Sequence, residues 1–227
     1  MIEELKKRVF EQNIALVKHN LVVLTWGNVS ARDEETGHII IKPSGVAYDK
    51  MTSDDMVVVD IDGNVREGRY RPSSDLPTHL YLYKQYPSIK GVVHTHSTYA
   101  TSFAQSGREI IAYGTTHADA FYGNIPCTRD LTAEEIASEY EWNTGKIIAE
   151  AIKDVDAIPA MLVKNHGVFT WGGSVEKAVE NAVTLEEVAK MAQLTKSINK
   201  NTPRINQNLL DKHYFRKHGK NAYYGQK

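Results

Sequence analysis

Two histidines that stand two positions apart, His94 and His96, follow the apolar run Val92-Val93. Side chains at positions i and i+2 of a β-strand point to the same face of the sheet. If the strand continues through His96, both imidazoles can converge on one divalent ion, for which imidazole is the commonest side-chain ligand. The alternative is a pair of polar side chains that face solvent at the end of a strand. The spacing therefore predicts a metal site only if other segments supply further ligands.

Two other segments contain such ligands. Asp75 lies just before Pro77, where a helix is expected to begin, so its carboxylate either caps that helix or completes a ligand set with the His94 strand. His166 lies between two strand-like runs beside Gly167, and it either projects into a cleft or forms a hydrogen-bonded turn. Three neutral imidazoles and one carboxylate would leave a bound divalent ion with a net charge of about +1, so that it could act as a Lewis acid on a carbonyl oxygen.

Short polar and glycine-containing stretches could form an anion-binding pocket. Backbone N–H groups freed at glycines, serine hydroxyls and a lysine ammonium are the groups that bind phosphate. Each stretch taken alone is equally typical of an ordinary turn. The candidate residues are Gly27, Asn28, Lys42, Ser44, Gly45, Ser73 and Ser74.

Two further polar side chains could transfer protons. Asp119 follows His117 in what is expected to be a polar loop, and Tyr224 lies in a basic, aromatic tail with His213 and Tyr223. Asp119 could instead be a surface carboxylate, and the tyrosines could be packing anchors. If either side chain reaches the metal cleft, it becomes a candidate acid or base.

The elements that must position these residues are predicted from apolar periodicity and from turn and capping residues. Neighbouring strands are joined by short turns, which favours antiparallel pairing. The prediction is an α/β domain with a mixed, mostly antiparallel central sheet covered by helices. Strands are expected in NVSAR, HIIIKPSG, MVVVDIDGNV, IKGVVHTH and AMLVKNHGVFTWG, and helices from Ile2 to Val17, from Pro77 to Tyr86, in STYATSFAQS up to Gly107, over roughly residues 133–153, and from Ser174 to about Ser197.

Composition narrows the class of protein. The chain has 227 residues, of which 41% are hydrophobic and 24% charged, and its formal net charge is −1. These values are typical of a globular domain with no general attraction to nucleic acid or to an anionic membrane.

No apolar run approaches the roughly 20 residues of a membrane span, and the N-terminal segment indicates an amphipathic helix rather than a signal peptide. A single cysteine, Cys127, excludes an intrachain disulfide and favours the cytoplasm. Without a long linker or an internal repeat, residues 1–227 are expected to form one domain.

Motifs in order along nearly the whole chain resemble those of the class II aldolase/epimerase family. His-x-His and the later Asn-His-Gly match the general family pattern. The Ser-Ser-Asp, Thr-Thr-His-Ala-Asp and Ala-Tyr-Tyr-Gly-Gln stretches are narrower and resemble the epimerase branch that acts on L-ribulose 5-phosphate. Aldolase relatives resemble this pattern but carry glutamate where this chain has Asp75. The matching stretches are TWGNVSAR, IKPSGV, PSSDLPTHLYLY, GVVHTHS, GTTHADAFYG, IPCTR, EYEWNTG, NHGVF, LEEVA and DKHYFRKHGKNAYYGQ.

This resemblance implies a three-layer α/β/α fold and one divalent metal ion per subunit, usually zinc, with manganese or cobalt as alternatives. Family members are cyclic homotetramers with active sites between neighbouring subunits, so the tail over about residues 205–227 is expected to contribute to an active site. The family's metal-ligand positions are occupied by Asp75, His94, His96 and His166, its phosphate and substrate pocket by Gly27, Asn28, Lys42, Ser44, Gly45, Ser73 and Ser74, and its proton-transfer pair by Asp119 and Tyr224.

The reaction that the resemblance implies is inversion at C4 of L-ribulose 5-phosphate to give D-xylulose 5-phosphate. C4 is not adjacent to the carbonyl, so simple enolisation cannot invert it. Retro-aldol cleavage of the C3–C4 bond can, through a metal-bound enediolate and glycolaldehyde phosphate, if the aldehyde rotates before the bond re-forms. Two alternatives stay open: an aldolase that releases the aldehyde, and a non-catalytic interaction module such as the head domain of adducins, which need not keep metal ligands. Arabinose breakdown and ascorbate-type pentose breakdown both fit the epimerase interpretation.

Overall fold

The computed structural model describes residues 2–220 and 222–225, which form a central sheet with helices on both sides. Helices predicted from Ile2, from Pro77, in STYATSFAQS and after Ser174 are all present, as are the predicted strands. The helices are α1 (Ile2–Lys18), α2 (Leu76–Gln85), α3 (Thr98–Ser106), α4 (Thr115–Ala118), α5 (Ala133–Ala137), α6 (Tyr140–Ala151), α7 (Val175–Ile198) and α8 (Gln207–Lys217), and the strands are β1 (Asn28–Arg32), β2 (Ile39–Ile41), β3 (Val57–Val59), β4 (Val65–Glu67), β5 (Gly91–Thr95), β6 (Ala160–Leu162) and β7 (Val168–Gly172).

The seven strands form one sheet in the order β4-β3-β2-β1-β5-β7-β6. Every pair of neighbouring strands in it is antiparallel. Within the described residues, parallel pairing is limited to an isolated bridge between Cys127 and Leu162. The predicted mostly antiparallel sheet is confirmed. Its register sets Asn28 on β1 opposite His94 on β5, which brings two separate sequence motifs to one end of the sheet.

Both faces of the sheet are covered, which explains why its inner strands are apolar without polar alternation. On one face, Ile39 and Ile41 pack with side chains of α2 and α6. On the other face, Ile40 packs with side chains of α1 and α7. All three isoleucines are fully buried, and burial of such a side chain contributes about 1.5–3 kcal/mol. The predicted three-layer α/β/α arrangement is therefore present.

The single helix predicted over roughly 133–153 is wrong, because the chain forms two helices, α5 and α6. The predicted capping box is present, since the Thr132 hydroxyl accepts from the Glu135 N–H at 3.2 Å. The backbone then leaves helical geometry at Ser138, with φ −105° and ψ −123°. The Asn143 amide of α6 donates to the Glu135 carbonyl at 3.0 Å and to the Ser138 hydroxyl at 3.1 Å. In a continuous helix, the Glu135 carbonyl would instead accept a hydrogen bond from a backbone N–H four residues later. The Asn143 side chain takes the place of that backbone bond, so α5 ends before α6 begins.

The tail contains a helix that the sequence analysis did not predict. α8 begins after Asn206, whose side-chain oxygen accepts from the Asn208 N–H at 2.9 Å, and ends before Gly219, which has φ +88°. The polar loop expected around Asp119 is likewise a helical turn, α4, for which Asp119 is the C-cap residue. Asn221 and Gln226, which belong to the tail motif, and Lys227, which follows it, lie outside the described residues. Within the part of the chain that the structure describes, no helix combines the length and apolar character needed to cross a membrane.

Candidate metal centre and phosphate cleft

The end of β5 brings His94 and His96 together. β5 ends at Thr95, so His96 lies one residue beyond the strand, yet the two Nε2 atoms are only 3.0 Å apart. The Nδ1 atom of His94 lies 3.0 Å from the carbonyl oxygen of Val168, which can only accept a hydrogen bond. The His94 proton is therefore on Nδ1, and its Nε2 lone pair is free to bind a cation.

His166 approaches the same point from the turn between β6 and β7. The turn contains Asn165 in the left-handed region, with φ 61°, and the ligand atoms of His94, His96 and His166 all lie within 4.8 Å of one another. Gly167 allows this approach, because a Cβ atom there would lie 2.7 Å from Cδ2 of His96 and 3.1 Å from Cε1 of His94. The three imidazoles converge as the metal hypothesis requires.

The donor geometry fits a divalent cation. Two imidazoles on a tetrahedral zinc ion, with Zn–N distances of about 2.0–2.1 Å, have nitrogens about 3.3 Å apart. The 3.0 Å separation of the His94 and His96 Nε2 atoms is close to that value. Burial, followed by the neighbouring His94, lowers the pKa of His166 to about 4 and lowers the pKa of His96. His166 is therefore neutral near pH 7, as a metal ligand must be.

Asp75 faces the cleft instead of capping α2. It occupies the N-cap position, but its side chain makes no capping hydrogen bond, so the capping interpretation is wrong. Its Oδ2 accepts from the Asn28 amide at 2.6 Å and from the Ser73 hydroxyl at 3.4 Å. Its carboxylate lies outside the 4.8 Å set of the three imidazoles. Asp75 lines the same cleft as His94, so as a fourth ligand it remains a prediction.

The Asp75 carboxyl is ionised despite its surroundings. Burial raises its pKa, but the imidazoles of His94 and His79, followed by the Asn28 amide, outweigh burial and hold the pKa below its ordinary value. The Oδ1 atom of Asn28 is buried and has no hydrogen-bond partner among the residues that the structure describes. A carboxylate and this amide oxygen beside the imidazoles of His94, His96 and His166 form an environment suited to a cation.

A cleft of about 530 Å³ opens beside the imidazoles. All seven residues predicted for the phosphate pocket line it, together with the four candidate metal ligands. These residues come from the segment before β1 and its first residue, the loop after β2, the segment before α2, the end of β5 with the residue after it, and the β6–β7 turn. The full set is Thr25, Trp26, Gly27, Asn28, Lys42, Pro43, Ser44, Gly45, Ser73, Ser74, Asp75, His94, His96 and His166.

Lys42 is the cation of this cleft. Its side chain is buried, and its Nζ donates to the carbonyls of Val46 and Pro43 at 3.1 and 3.3 Å. Within residues 2–220 and 222–225, no carboxylate lies at ion-pair distance from it, and burial lowers its pKa to about 8. A buried ammonium that lacks a carboxylate partner is stabilised when an anionic ligand binds beside it. The surroundings of Lys42 are therefore suited to the predicted phosphate site.

Asp119 and Tyr224 lie together but not in this cleft. Asp119 accepts from Arg216 at 2.7 Å and from His213 at 3.0 Å, and Lys217 lies 3.4 Å away. The Tyr224 ring lies 4.9 Å from the Arg216 guanidinium carbon and 4.4 Å from Lys217 Nζ, and the side chain is 61% exposed. Burial opposes ionisation of Asp119, but the hydrogen bonds from Arg216 and His213 outweigh it and lower its pKa. The fold therefore brings the predicted pair together, outside the cleft that the imidazoles line.

Two residues of the site were not singled out by the sequence analysis. His79 is fully buried, with Nδ1 2.7 Å from the Ser30 hydroxyl, and its Nε2 has no hydrogen-bond partner within the described residues. Burial lowers the pKa of His79 to about 3. The sequence signal that could have identified His79 is its position in an apolar helix, four residues after Asp75. The hydroxyl of Tyr140 lies 3.5 Å from Nδ1 of His166, at the start of α6. The sequence contains no local signal for that contact because it depends on the break between α5 and α6.

Residues 7–193 match the family described as Class II Aldolase and Adducin N-terminal domain. The chain is 57% identical over 228 residues to L-ribulose-5-phosphate 4-epimerase UlaF of Salmonella paratyphi A, with 100% of both chains covered. The same values hold for the protein of that name from Salmonella typhi. The resemblance inferred from the motifs is therefore confirmed.

Solved structures agree on the fold. An L-fuculose 1-phosphate aldolase superposes with a TM-score of 0.80 at 26% identity, covering 94% of this chain and 95% of that chain. The L-fuculose 1-phosphate aldolase from Glaciozyma antarctica PI12 gives a TM-score of 0.81 at 22% identity, covering 97% of this chain and 84% of that chain, which bears on the fold alone. The cleft at the end of β5, the three-layer fold and these similarities lead to one conclusion: the chain belongs to the class II aldolase and adducin N-terminal domain family.

Proposed function

We propose that this protein is a divalent-metal-dependent L-ribulose-5-phosphate 4-epimerase that forms D-xylulose 5-phosphate. The observation that carries the proposal is the convergence of three imidazoles beside a cleft whose buried lysine has no carboxylate partner in the described part of the chain. Full-length identity of 57% to epimerases of that name supports the same substrate. Zinc is the expected ion, and manganese or cobalt would fit the same nitrogen and oxygen donors.

The reaction divides between the two ends of the cleft. Lys42 and the glycine and serine backbone around it would bind the phosphate, which keeps the two-carbon aldehyde from leaving after the C3–C4 bond breaks. His94, His96 and His166, with Asp75, would hold the ion, and the ion would supply electrostatic stabilisation of the negative charge that develops on the other fragment. Retention of the aldehyde distinguishes an epimerase from an aldolase.

Inversion requires proton transfer on two faces of the aldehyde. A base removes the C4 hydroxyl proton, and the electrons of that O–H bond form the aldehyde as the C3–C4 bond electrons move to C3. After the aldehyde rotates, C3 attacks its other face, and an acid returns the proton to the new C4 alkoxide. Asp119 and Tyr224 would divide these two transfers.

Asp119 and Tyr224 would act across a subunit interface in a homotetramer. They do not line the cleft of their own subunit, which supports this assignment. The surface around Asp119 and Tyr224 is cationic, because Arg216 and Lys217 lie beside the Tyr224 ring. Nearby cations favour the ionised form of a tyrosine, as proton transfer requires. Both surfaces that would form the interface carry exposed apolar side chains. Leu24 and Trp26 lie beside the cleft of one subunit, and Phe215 and Tyr223 lie on the surface near Asp119 that its neighbour would contribute. The proposal includes a cytoplasmic location, because Cys127 is a free thiol and proteins without disulfides are typical of that compartment.

The test is a coupled assay for D-xylulose 5-phosphate on protein whose metal content is measured in the same preparation. We expect one ion per subunit, conversion of L-ribulose 5-phosphate, and loss of both metal and activity in His94→Asn. Accumulation of free glycolaldehyde phosphate in place of the epimer would favour an aldolase. Absence of both bound metal and turnover would favour a non-catalytic module.

A further inference from the structure

His96 differs from the other two imidazoles in how it is held. The His94 ring is fixed by its bond to the Val168 carbonyl, and the His166 ring lies next to the Tyr140 hydroxyl. Within the described residues, the His96 ring has no hydrogen-bond contact besides the one with His94. It also lies one residue beyond the end of β5 and is solvent-exposed. The position of the His96 ring therefore depends on the backbone that follows it.

That backbone is the start of α3, and its capping is unusual. Ser97 occupies the N-cap position, but its hydroxyl makes no capping bond and is buried with no hydrogen-bond partner among residues 2–220 and 222–225. The N–H groups that an N-cap side chain normally serves belong to the second and third helical residues. Here they belong to Tyr99 and Ala100, and both donate to the carboxylate of Glu186, at 2.8 and 2.9 Å.

Glu186 reaches this helix from the middle of α7, the longest helix of the described chain. Its two oxygens each accept one backbone N–H, so the carboxylate fixes both the position and the direction of the first turn of α3. Its negative charge is also favourable at a helix N-terminus. Because α7 packs against α3 and along β5 and β7, Glu186 links the loop after His96 to the centre of the molecule.

We infer that Glu186 is a positioning residue for His96, and through it for the divalent ion. This inference depends on the metal site of the proposed function. It assigns a role to the LEEVA stretch, which lies outside the cleft. Removal of the carboxylate frees the first turn of α3, so the His96 imidazole samples positions away from the other ligands. A group that orients a metal ligand in this way typically changes metal affinity by about 10- to 100-fold when it is mutated.

The experiment is a Co²⁺ titration of metal-free protein, followed by the visible absorption bands of the bound ion. We expect Glu186→Ala to weaken Co²⁺ binding by about 10- to 100-fold and to alter the band pattern, with a smaller effect for Glu186→Gln, which keeps one acceptor oxygen. An excess of Co²⁺ should restore most of the turnover number of Glu186→Gln. Glu186→Gln also provides the measurement if Glu186→Ala does not fold.

Two variants separate positioning from general loss of stability. Ser174→Ala removes a helix cap of the ordinary kind, in which the Ser174 hydroxyl accepts from the Lys177 N–H at 3.1 Å, and it should lower the Tm without changing the Co²⁺ affinity or spectrum. Ser97→Ala removes a hydroxyl that makes no capping bond, and it should leave the Co²⁺ affinity and the spectrum unchanged. Equal Co²⁺ affinity and spectra in the wild type and both Glu186 variants would overturn the inference. Wild-type protein that binds no Co²⁺ would instead overturn the metal site itself.

Discussion

Substitution of Gly167 by alanine is a direct test of the imidazole geometry. A Cβ atom at this position would lie 2.7 Å from Cδ2 of His96, 2.7 Å from the carbonyl oxygen of Thr95 and 3.1 Å from Cε1 of His94. The His96 ring must retreat by about 0.7 Å to restore a contact of 3.4 Å. Because Thr95 belongs to β5, its carbonyl cannot move as freely as a side chain.

The displacement is large for a metal ligand. Ligand distances in metal sites hold to about 0.2 Å, so a shift of 0.7 Å removes His96 from an ion that His94 and His166 still bind. We expect Gly167→Ala to weaken zinc binding by at least about tenfold, since the loss of positioning alone costs that much. The crowded contact should also destabilise the fold by about 1–3 kcal/mol.

The assay is competition for zinc against a chromophoric chelator, together with thermal unfolding of the metal-free protein. Gly173→Ala is the matched control, because a Cβ atom there meets nothing within 4 Å. The control should bind zinc as the wild type does. Gly167→Ala protein with wild-type zinc affinity and an unchanged Tm would refute the view that close approach at this glycine sets the positions of the imidazoles.

Three further predictions concern the phosphate site, the subunit interface and the core. Because burial lowers the pKa of Lys42 to about 8, its ammonium loses a proton as the pH rises through that value, so KM for the sugar phosphate should increase above pH 8 in steady-state assays. Lys42→Met should raise KM at every pH and abolish that dependence. Mixing inactive Asp119→Asn and His94→Asn subunits should restore activity at about a quarter of the sites if each site draws on two subunits, whereas no recovery would place both residues in one subunit's site. Gly91→Ala, whose Cβ would lie 2.6 Å from Cα of Val175, should lower the free energy of unfolding by about 1–3 kcal/mol in denaturant titrations without changing KM.

Much of the fold follows from local signals. The apolar runs that form β2 and β3, the capping serine before α7 and the glycine that ends α3 each act within a few residues of the chain, so short-range sterics and hydrogen bonding determine them. The signal for α8 is weaker, because the helix is mostly polar and only two of its side chains, Leu210 and Tyr214, are buried. The break between α5 and α6 depends on a side chain, Asn143, that competes with the backbone for one carbonyl.

The candidate site divides in the same way. Local sequence patterns suffice to place His94 and His96 at a strand end, His166 in a turn, and Lys42, Ser44 and Ser73 in segments able to bind phosphate.

Which of these groups meet depends on the folded chain, because strand register and helix packing set the distances between them, and spacing along the chain does not. Pairing of β1 with β5 brings Asn28 opposite His94, and the Asn28 amide then draws the Asp75 carboxylate away from the helix that local sequence would have it cap. Packing of α7 on α3 supplies the Glu186 carboxylate to the loop after His96. The separation of Asp119 from the cleft has the same origin, since its cationic partners lie on α8.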